Sequence, residues 1–358
     1  MPDLVILEKL VKKIQDLNRK PDFGNILSIC RRQRPSRPTL FEFIINDKFI
    51  SRISGLPIPP QDDALGWCRF LTRGFYNAGY DYAVIGGWHL RAMIFPTANV
   101  HKKASKSLND GAMITDRAGF ADYNWPDPLS GDYSALHKIA AELPAGMKLI
   151  VSGYEGVLET VINIVGFENL CIMLFEDPEL AGEIFNNVGS RILQFYQNCL
   201  QYDAVGALLA NDDWGFKTQT MLSPDALRAY IFPWYKKLVE LCHQAGKPVI
   251  LHSCGNLEQV LPDITDDMKF DAKHSFEDNI FPVEEAYTCW GDRIGIMGGI
   301  DMNFMAKKTT ADVRKRVTNL LRIAGDKGGL AIGSGNSISD YIPARNYCAL
   351  VETVINYK

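Results

Sequence analysis

The chain has 358 residues, of which 47% are hydrophobic, 11% aromatic and 22% charged, and its net charge is -4 at pH 7. This composition is typical of a soluble globular protein with a large core and excludes a disordered chain. The slightly acidic balance, without a concentrated run of lysine and arginine, argues against nucleic acid as a partner. No apolar run reaches the roughly 18 to 20 residues that a membrane span needs, so no membrane association is expected.

The N-terminal stretch MPDLVILEKLVKKIQDLNRK predicts an amphipathic helix and lacks the apolar core and cleavage site of a secretory signal. We group residues 1–37 as an N-terminal helical extension of a single domain that spans 1–358. The eight cysteines stand singly, without a CxxC pair. This usage is typical of reduced thiols and predicts a cytoplasmic protein.

Short apolar segments that end in glycine or polar residues alternate with helix-like segments along the rest of the chain. The eight predicted strands are Pro38–Ile45, Tyr82–Gly87, Met147–Gly153, Gly206–Asp213, Pro248–Cys254, Asp271–Phe276, Ile294–Ile300 and Gly329–Gly335. The predicted helices are Ala135–Leu143, Val157–Val165, Pro178–Tyr202, Ser223–Ala245, Val283–Thr288 and Thr310–Ala324. Ser223 and Thr309 are expected N-caps, and Gly246 is expected to end a helix.

Alternating strands and helices predict an α/β fold with a parallel sheet, because parallel neighbours need a crossover connection. Eight repeats favour a closed (β/α)8 TIM barrel, with an open doubly wound sheet as the alternative. No G-x-G-x-x-G segment opens the first strand-helix turn, which argues against dinucleotide binding. The polar and poorly periodic segment 96–128 is predicted to be a long loop insertion, either over one end of the barrel or as a surface excursion.

Polar residues cluster after the predicted strands, where a barrel of this type builds its active site. Any one of them is more often a helix cap or a turn residue, but several strand ends are polar together. The candidate site residues are Trp88, His89, Asp212, Asp213, Trp214, His252, Cys254, His274, Glu277 and Asn336.

The segment PVILHSCGN carries the sharpest signal among these strand ends. His252 and Cys254 differ by two positions, so both side chains project from one face of a strand, and imidazole with thiolate suits zinc. Two ligands do not hold zinc alone, and the pair could instead be structural. A third ligand is expected at a neighbouring strand end, with Glu277 favoured and the aspartates after strand four or His274 as alternatives; strand alternation would aim His274 away from the face of Glu277.

The chain resembles the uroporphyrinogen decarboxylase-like superfamily, particularly its cobalamin-dependent (corrinoid-dependent) methyltransferase branch. The resemblance rests on NDDWG, on MLSPDALRAYIFPWYKKLVELCHQAGKPVILHSCGN, and on KHSFED, IMGGID and GSGNSISDYIPARNY. It implies a TIM barrel with its substrate site at the C-terminal mouth. In the methyltransferases of this superfamily an H-x-C pair and a later cysteine hold zinc, and His252 and Cys254 match that pair.

The chain also departs from the superfamily's patterns. The later cysteine has no counterpart, since the segment that would carry it reads GSGN. Cobalamin-independent methionine synthases, which are similar in fold, complete an H-x-C pair with a glutamate about twenty residues on, and Glu277 stands at a comparable place. The R-Q-A-G-R motif of porphyrin decarboxylases is missing as well, and RRQRPSRPTLFEF occupies its neighbourhood.

The resemblance implies a methyltransferase that moves a methyl group between a small methylated substrate, or a thiol acceptor, and a corrinoid carried by a partner protein. Zinc on His252, Cys254 and Glu277 would assist, and Asp212 and Asp213 would orient substrate or transfer a proton. Two alternatives stand beside this hypothesis: a metal-free decarboxylase or lyase, and a non-catalytic barrel that binds a tetrapyrrole. The pocket walls are expected to include Trp88, His89, Trp214, His274 and Asn336.

Overall fold

The structure is a computed structural model that describes residues 2–98 and 107–357. Within these residues one parallel sheet contains seven strands, and each strand is hydrogen-bonded to the next one along the chain. The strands are β1 (Tyr82–Gly86), β2 (Lys148–Ser152), β3 (Val205–Asn211), β4 (Val249–His252), β5 (Ala272–His274), β6 (Gly295–Met297) and β7 (Leu330–Ala331).

Helices precede, connect and follow these strands. In chain order they are α1 (Pro2–Asp16), α2 (Gly24–Cys30), α3 (Asp47–Ser54), α4 (Ala64–Asn77), α5 (Arg117–Asp122), α6 (Ser134–Ala140), α7 (Val157–Val165), α8 (Phe167–Glu176), α9 (Pro178–Leu200), α10 (Pro224–Ala226), α11 (Phe232–Gln244), α12 (Val283–Trp290), α13 (Met302–Lys307), α14 (Thr310–Ala324) and α15 (Ala344–Asn356). The predicted α/β alternation and the TIM-barrel type of fold are confirmed.

The first predicted strand, Pro38–Ile45, is the one that does not form as expected. It touches the far edge of the sheet only through isolated parallel bridges, Leu40 to Ile332 and Ile45 to Ile338. On its other side a side chain replaces the backbone ladder, because the Tyr82 hydroxyl accepts from the Glu42 N–H at 2.6 Å and donates to the Glu42 carbonyl at 2.8 Å. The segment therefore lies between β7 and β1 without being a regular strand.

The predicted helix boundaries follow from local chemistry. The Ser223 side chain caps α10, and Thr309 forms a capping box with Asp312 at the start of α14. Gly246 ends α11 with a positive φ of 68°, a conformation that suits glycine. The predicted continuous helix Ser223–Ala245 is interrupted by a π-helical turn at Leu227–Ile231.

The predicted insertion 96–128 contains a short helix, α5, in its described part, while 99–106 lie outside the described residues. It is attached to the helices that follow β2. The Ile164 carbonyl accepts from Met113 and Ile114, and the Arg117 guanidinium pairs with Asp177 at 2.8 Å. Its location over one end of the barrel stays a prediction.

Among the described residues, none of the single helices has both the length and the apolar character that a membrane crossing requires. Two consecutive helices, α7 and α8, meet that standard only when taken together, and they bend by 96° where they join.

Glu42 is a buried acid inside this fold. Its side chain is 0% exposed, and its carboxylate accepts from the Ser334 backbone N–H at 2.8 Å and from the Ser334 hydroxyl at 2.5 Å. Burial raises its pKa from 4.5 to about 8, although both hydrogen bonds act in the opposite direction. The protonated form is therefore favoured in the folded state.

Replacing Glu42 with glutamine is expected to remove a pH-dependent cost to stability. Because the folded pKa of this carboxyl is raised, its contribution is fully present below about pH 4.5 and is lost as the pH rises through about 8. The Glu42→Gln protein should therefore gain free energy of unfolding over the wild type as pH rises, by up to about 4 kcal/mol between about pH 5 and pH 9. Urea denaturation at both pH values measures this, with the exposed Glu258→Gln as control. Parallel pH dependence in wild type and Glu42→Gln would contradict the assignment.

Candidate metal centre

The centre forms where three neighbouring strands end at the same level. The register pairs Asn211 with His252 and His252 with His274 across β3, β4 and β5. Residues that face each other in adjacent strands point to the same side of a sheet, and here that side is the barrel interior. The ring of Phe43 from the irregular first segment reaches across to His252, with 4.7 Å between ring centroids.

Asp213, His252 and Cys254 bring three different ligand atoms together. One carboxylate oxygen, one imidazole nitrogen and the Cys254 sulfur all lie within 4.8 Å of one another. The His252 Nε2 atom is 3.8 Å from the Cys254 Sγ, and the Asp213 Oδ1 accepts from the Cys254 backbone N–H at 2.8 Å. A nitrogen, a sulfur and an oxygen donor are a set that suits zinc.

His252 and His274 form a buried pair of imidazoles. Their Nδ1 atoms are 2.8 Å apart, and the Nε2 of His274 lies 3.2 Å from the Ser334 carbonyl. Burial is the main cause that lowers both pKa values, that of His274 to about 3 and that of His252 well below its usual range. Both rings are therefore neutral at physiological pH.

Two polar side chains converge on the Cys254 sulfur. The Ser275 hydroxyl and the Asn336 amide each donate to Sγ at 3.3 Å. Ser275 has a φ of +83°, a conformation that is strained for a residue with a Cβ. Burial, with the neighbouring Asp213 carboxylate, raises the pKa of the Cys254 thiol, so it is a thiol in the metal-free protein. A metal would have to displace that proton.

Lys273 places a positive charge directly behind the cluster. Its side chain is 2% exposed, and its Nζ donates to three backbone carbonyls, those of Ser253, His274 and Ser275, at 3.2, 3.4 and 2.6 Å. Burial lowers its pKa from 10.5 to about 8, while the Cys254 thiol and the nearby carboxylates act to raise it. An ammonium here would offset the negative charge of a thiolate and a carboxylate.

The two predicted acids, Asp212 and Asp213, have different surroundings. Asp212 is 0% exposed and accepts four hydrogen bonds, from the backbone N–H groups of Leu158 and Glu159 and from the side chains of Trp214 and Tyr235. Burial raises its pKa to about 6. These contacts hold the N-terminus of α7 and suit a structural role, whereas Asp213 alone reaches the cluster.

Glu277 lies near the cluster but outside the three-residue group. Strand β5 ends at His274, so the alternation that was expected to carry on to Glu277 stops three residues earlier. Its pKa is raised, first by burial and then by the Asp301 and Asp213 carboxylates. Glu277 therefore interacts electrostatically with residues at the site, and its role as a metal ligand stays a prediction.

The loops after β3 and β4 touch backbone to backbone. A Cβ placed on Gly255 would lie 2.2 Å from the Gly215 carbonyl carbon, and the Asn256 N–H donates to the Phe216 carbonyl at 2.7 Å. Gly255 also has a φ of +84°. Only glycine permits this approach, which joins the loop of Asp213 to the loop of Cys254.

A cavity of about 740 Å³ lies between the first segment, β1 and α4, and none of the three cluster residues lines it. Phe43, which lines the cavity and packs on the His252 ring, links the two. The walls of the cavity are mostly apolar and include Phe43, Trp67, Trp88 and His89. Trp88 and His89 thus line a cavity, and their role as walls of the substrate pocket stays a prediction. Trp214 does not line this cavity; it is 0% exposed and packs on Phe232 and Tyr235.

Sequence reasoning missed several polar residues of this region. Ser152 and Asn211 end β2 and β3, and Ser152 Oγ and Asn211 Oδ1 are buried without a hydrogen-bond partner among the described residues. Glu159 is half-buried, and its pKa is raised first by desolvation and then by the Asp213 carboxylate. Position at a strand end was an available signal for Ser152 and Asn211, and also for Lys273 and Ser275, which flank His274 in the segment KHSFED.

The profile of a family described as uroporphyrinogen decarboxylase (URO-D) matches residues 111–357, which is more than half of the chain. The chain belongs to the URO-D family. The matched part includes all the residues of the cluster, so the centre described above is a feature of the URO-D part of the chain. Curated proteins offer no match.

A methyltransferase from Methanosarcina mazei superposes with a TM-score of 0.69 at 14% identity, over 93% of this chain and 98% of that one. At that identity the likeness shows a shared fold. A xylose isomerase-like TIM barrel protein from Mycobacterium smegmatis matches at 11% identity over 89% of this chain and 97% of that one, with a TM-score of 0.38, too low for any argument.

Substitutions of Asp212 and Asp213 should have different effects on the stability of the protein. Asp212→Asn is expected to lower the free energy of unfolding by about 3 kcal/mol, since buried donors at the start of α7 lose an acceptor. Asp213→Asn, which keeps an oxygen for the Cys254 N–H, should change stability by less than about 1 kcal/mol. Thermal and urea unfolding of both variants measures this. Equal destabilisation by the two substitutions would contradict the division of roles.

Proposed function

We propose that this URO-D family protein is a methyltransferase that moves a methyl group between a small substrate and a corrinoid carried by a separate protein, with zinc at Asp213, His252 and Cys254. The observation that carries the proposal is the cluster of nitrogen, sulfur and oxygen donors at the ends of β3 and β4. The shared fold with the Methanosarcina mazei methyltransferase supports it.

The residues around the cluster fit a metal that activates a substrate. Three protein donors leave a position for one more ligand, which is the pattern of a catalytic rather than a structural zinc site. When bound, zinc acts as a Lewis acid on the atom that carries the methyl group, or lowers the pKa of a thiol acceptor. Glu277 remains the alternative third donor, because it lies close enough to Asp213 and Lys273 to interact electrostatically with both.

The chain's own side chains would prepare this centre. Ser275 and Asn336 stabilise negative charge on the Cys254 sulfur by donating hydrogen bonds to it. Lys273 supplies a positive charge that would offset the negative charge of the Cys254 thiolate and the Asp213 carboxylate. Phe43 lines the apolar cavity and also packs against the His252 ring, so it is the side chain that connects the cavity with the imidazole pair.

The same cavity argues against porphyrin decarboxylation, the first rival. A porphyrin that carries many carboxylates needs several cationic partners. Among the described residues that line the cavity, Lys48 is the one lysine or arginine, and its Nζ is already paired with Asp340 at 2.6 Å. The apolar lining fits a small methylated compound better than a polycarboxylate.

Metal analysis tests the first half of the proposal. Purified wild type is expected to contain about one zinc per chain, and His252→Ala and Cys254→Ala should lose most of it. The exposed His243→Ala and Cys289→Ala are matched controls and should keep it. Comparing Asp213→Asn with Glu277→Gln identifies the third donor, since the larger loss marks the ligand. Wild type without zinc, even after supplementation, would contradict the proposal.

Methyl transfer tests the second half. With reduced cobalamin as acceptor, the zinc-loaded protein should form methylcobalamin from at least one member of a panel of methanol, methylamines and methoxylated aromatic compounds, as followed by absorbance. In the reverse direction, methylcobalamin and a panel of thiols should give the thioether. The Cys254→Ala protein should be slower by about 100-fold or more. No turnover in either direction would favour a barrel that binds without catalysis.

A further inference from the structure

His274 is in contact with the proposed ligand His252, and its hydrogen bonds have a direction that the geometry determines. The Nε2 of His274 lies 3.2 Å from the Ser334 carbonyl oxygen, which can only accept. Nε2 of His274 therefore carries a hydrogen. A neutral imidazole carries one hydrogen, so the Nδ1 of His274 is an acceptor.

The acceptor role of His274 Nδ1 determines the donor in its hydrogen bond with His252. Its Nδ1 lies 2.8 Å from the Nδ1 of His274, and with His274 accepting, His252 must donate. The Nε2 of His252 is left with its lone pair free, and it is this atom that lies 3.8 Å from the Cys254 sulfur. The nitrogen that faces the cluster is thus the one able to bind a metal.

We infer that His274 is a positioning residue that fixes the tautomer and the ring orientation of His252, with the Ser334 carbonyl as the origin of the chain of hydrogen bonds. Metal-binding histidines usually donate their second N–H to a carboxylate, a carbonyl or water. Here His274 accepts that hydrogen bond instead. Its own orientation is set by the hydrogen bond that it donates to the Ser334 carbonyl.

Two further contacts restrict Ser334 and His274, where this series of hydrogen bonds begins. Glu42 accepts from both the N–H and the hydroxyl of Ser334, which fixes the Ser334 peptide beside His274. The Phe41 ring packs edge-on against His274, with 5.1 Å between centroids. A hydrogen-bonded carbonyl and an aromatic neighbour leave the His274 ring little freedom to flip.

Nitrogen-15 NMR of histidine-labelled, metal-free protein tests the assignment directly. Wild type is expected to show His252 protonated at Nδ1 and His274 protonated at Nε2, with the two signals assigned through His274→Asn. In His274→Leu, which has no acceptor, His252 should change tautomer or populate both. His274→Asn keeps an acceptor near the position of Nδ1 and should retain the wild-type tautomer. A wild-type His252 protonated at Nε2 would overturn the inference.

Zinc affinity gives a second readout, which rests on the proposed function. Competition with a chromophoric chelator should show His274→Leu about 10- to 100-fold weaker than wild type, and His274→Asn within a few-fold of it. Met297→Leu is the matched control, because Met297 is 0% exposed and pairs with His274 in the neighbouring strand. Wild-type affinity in His274→Leu would overturn the inference. If wild type itself bound no zinc, the proposed function would fail, while the NMR result would still decide the tautomer.

Discussion

The parallel register of β3, β4 and β5 is the constraint on which the centre depends. Asn211, His252 and His274 stand side by side at the ends of three consecutive strands. A shift of one residue in either pairing would turn an imidazole out of the barrel, because side chains alternate between faces. The placement of His252 on β4 beside His274 on β5 is thus a consequence of backbone pairing before any side chain contributes.

Much of the fold could be predicted from the sequence, for a physical reason. Parallel strands buried on both faces are short continuous apolar runs, and helices carry recognisable caps, as at Ser223 and Thr309. The first predicted strand differs because the pattern of apolar residues does not show what pairs with its backbone. A tyrosine hydroxyl from β1 occupies that place, and no local rule predicts such a partner.

The candidate site was predictable in part. A spacing of two predicts His252 and Cys254 on one face of a strand. Strand β4 ends at His252, and the structure nevertheless brings the two side chains together with Asp213. The choice among acids could not be made from the sequence, since it depends on where a strand stops. Strand β5 ends at His274, so alternation does not relate this residue to Glu277. Lys273, Ser275 and Asn336 meet the cluster only through the tertiary fold.

The contact between Gly215 and Gly255 gives the centre a mechanical property. The spacing between the loop of Asp213 and the loop of Cys254 is determined by main-chain atoms in van der Waals contact, which cannot change rotamer. A side chain at either glycine would push the two loops apart. The distance between the Asp213 carboxylate and the Cys254 sulfur would then increase, although no donor residue had been replaced. The distance between these two donors therefore depends on two glycines that contribute no donor atom. A comparison of sequences at the donor positions alone would not show that this distance had changed.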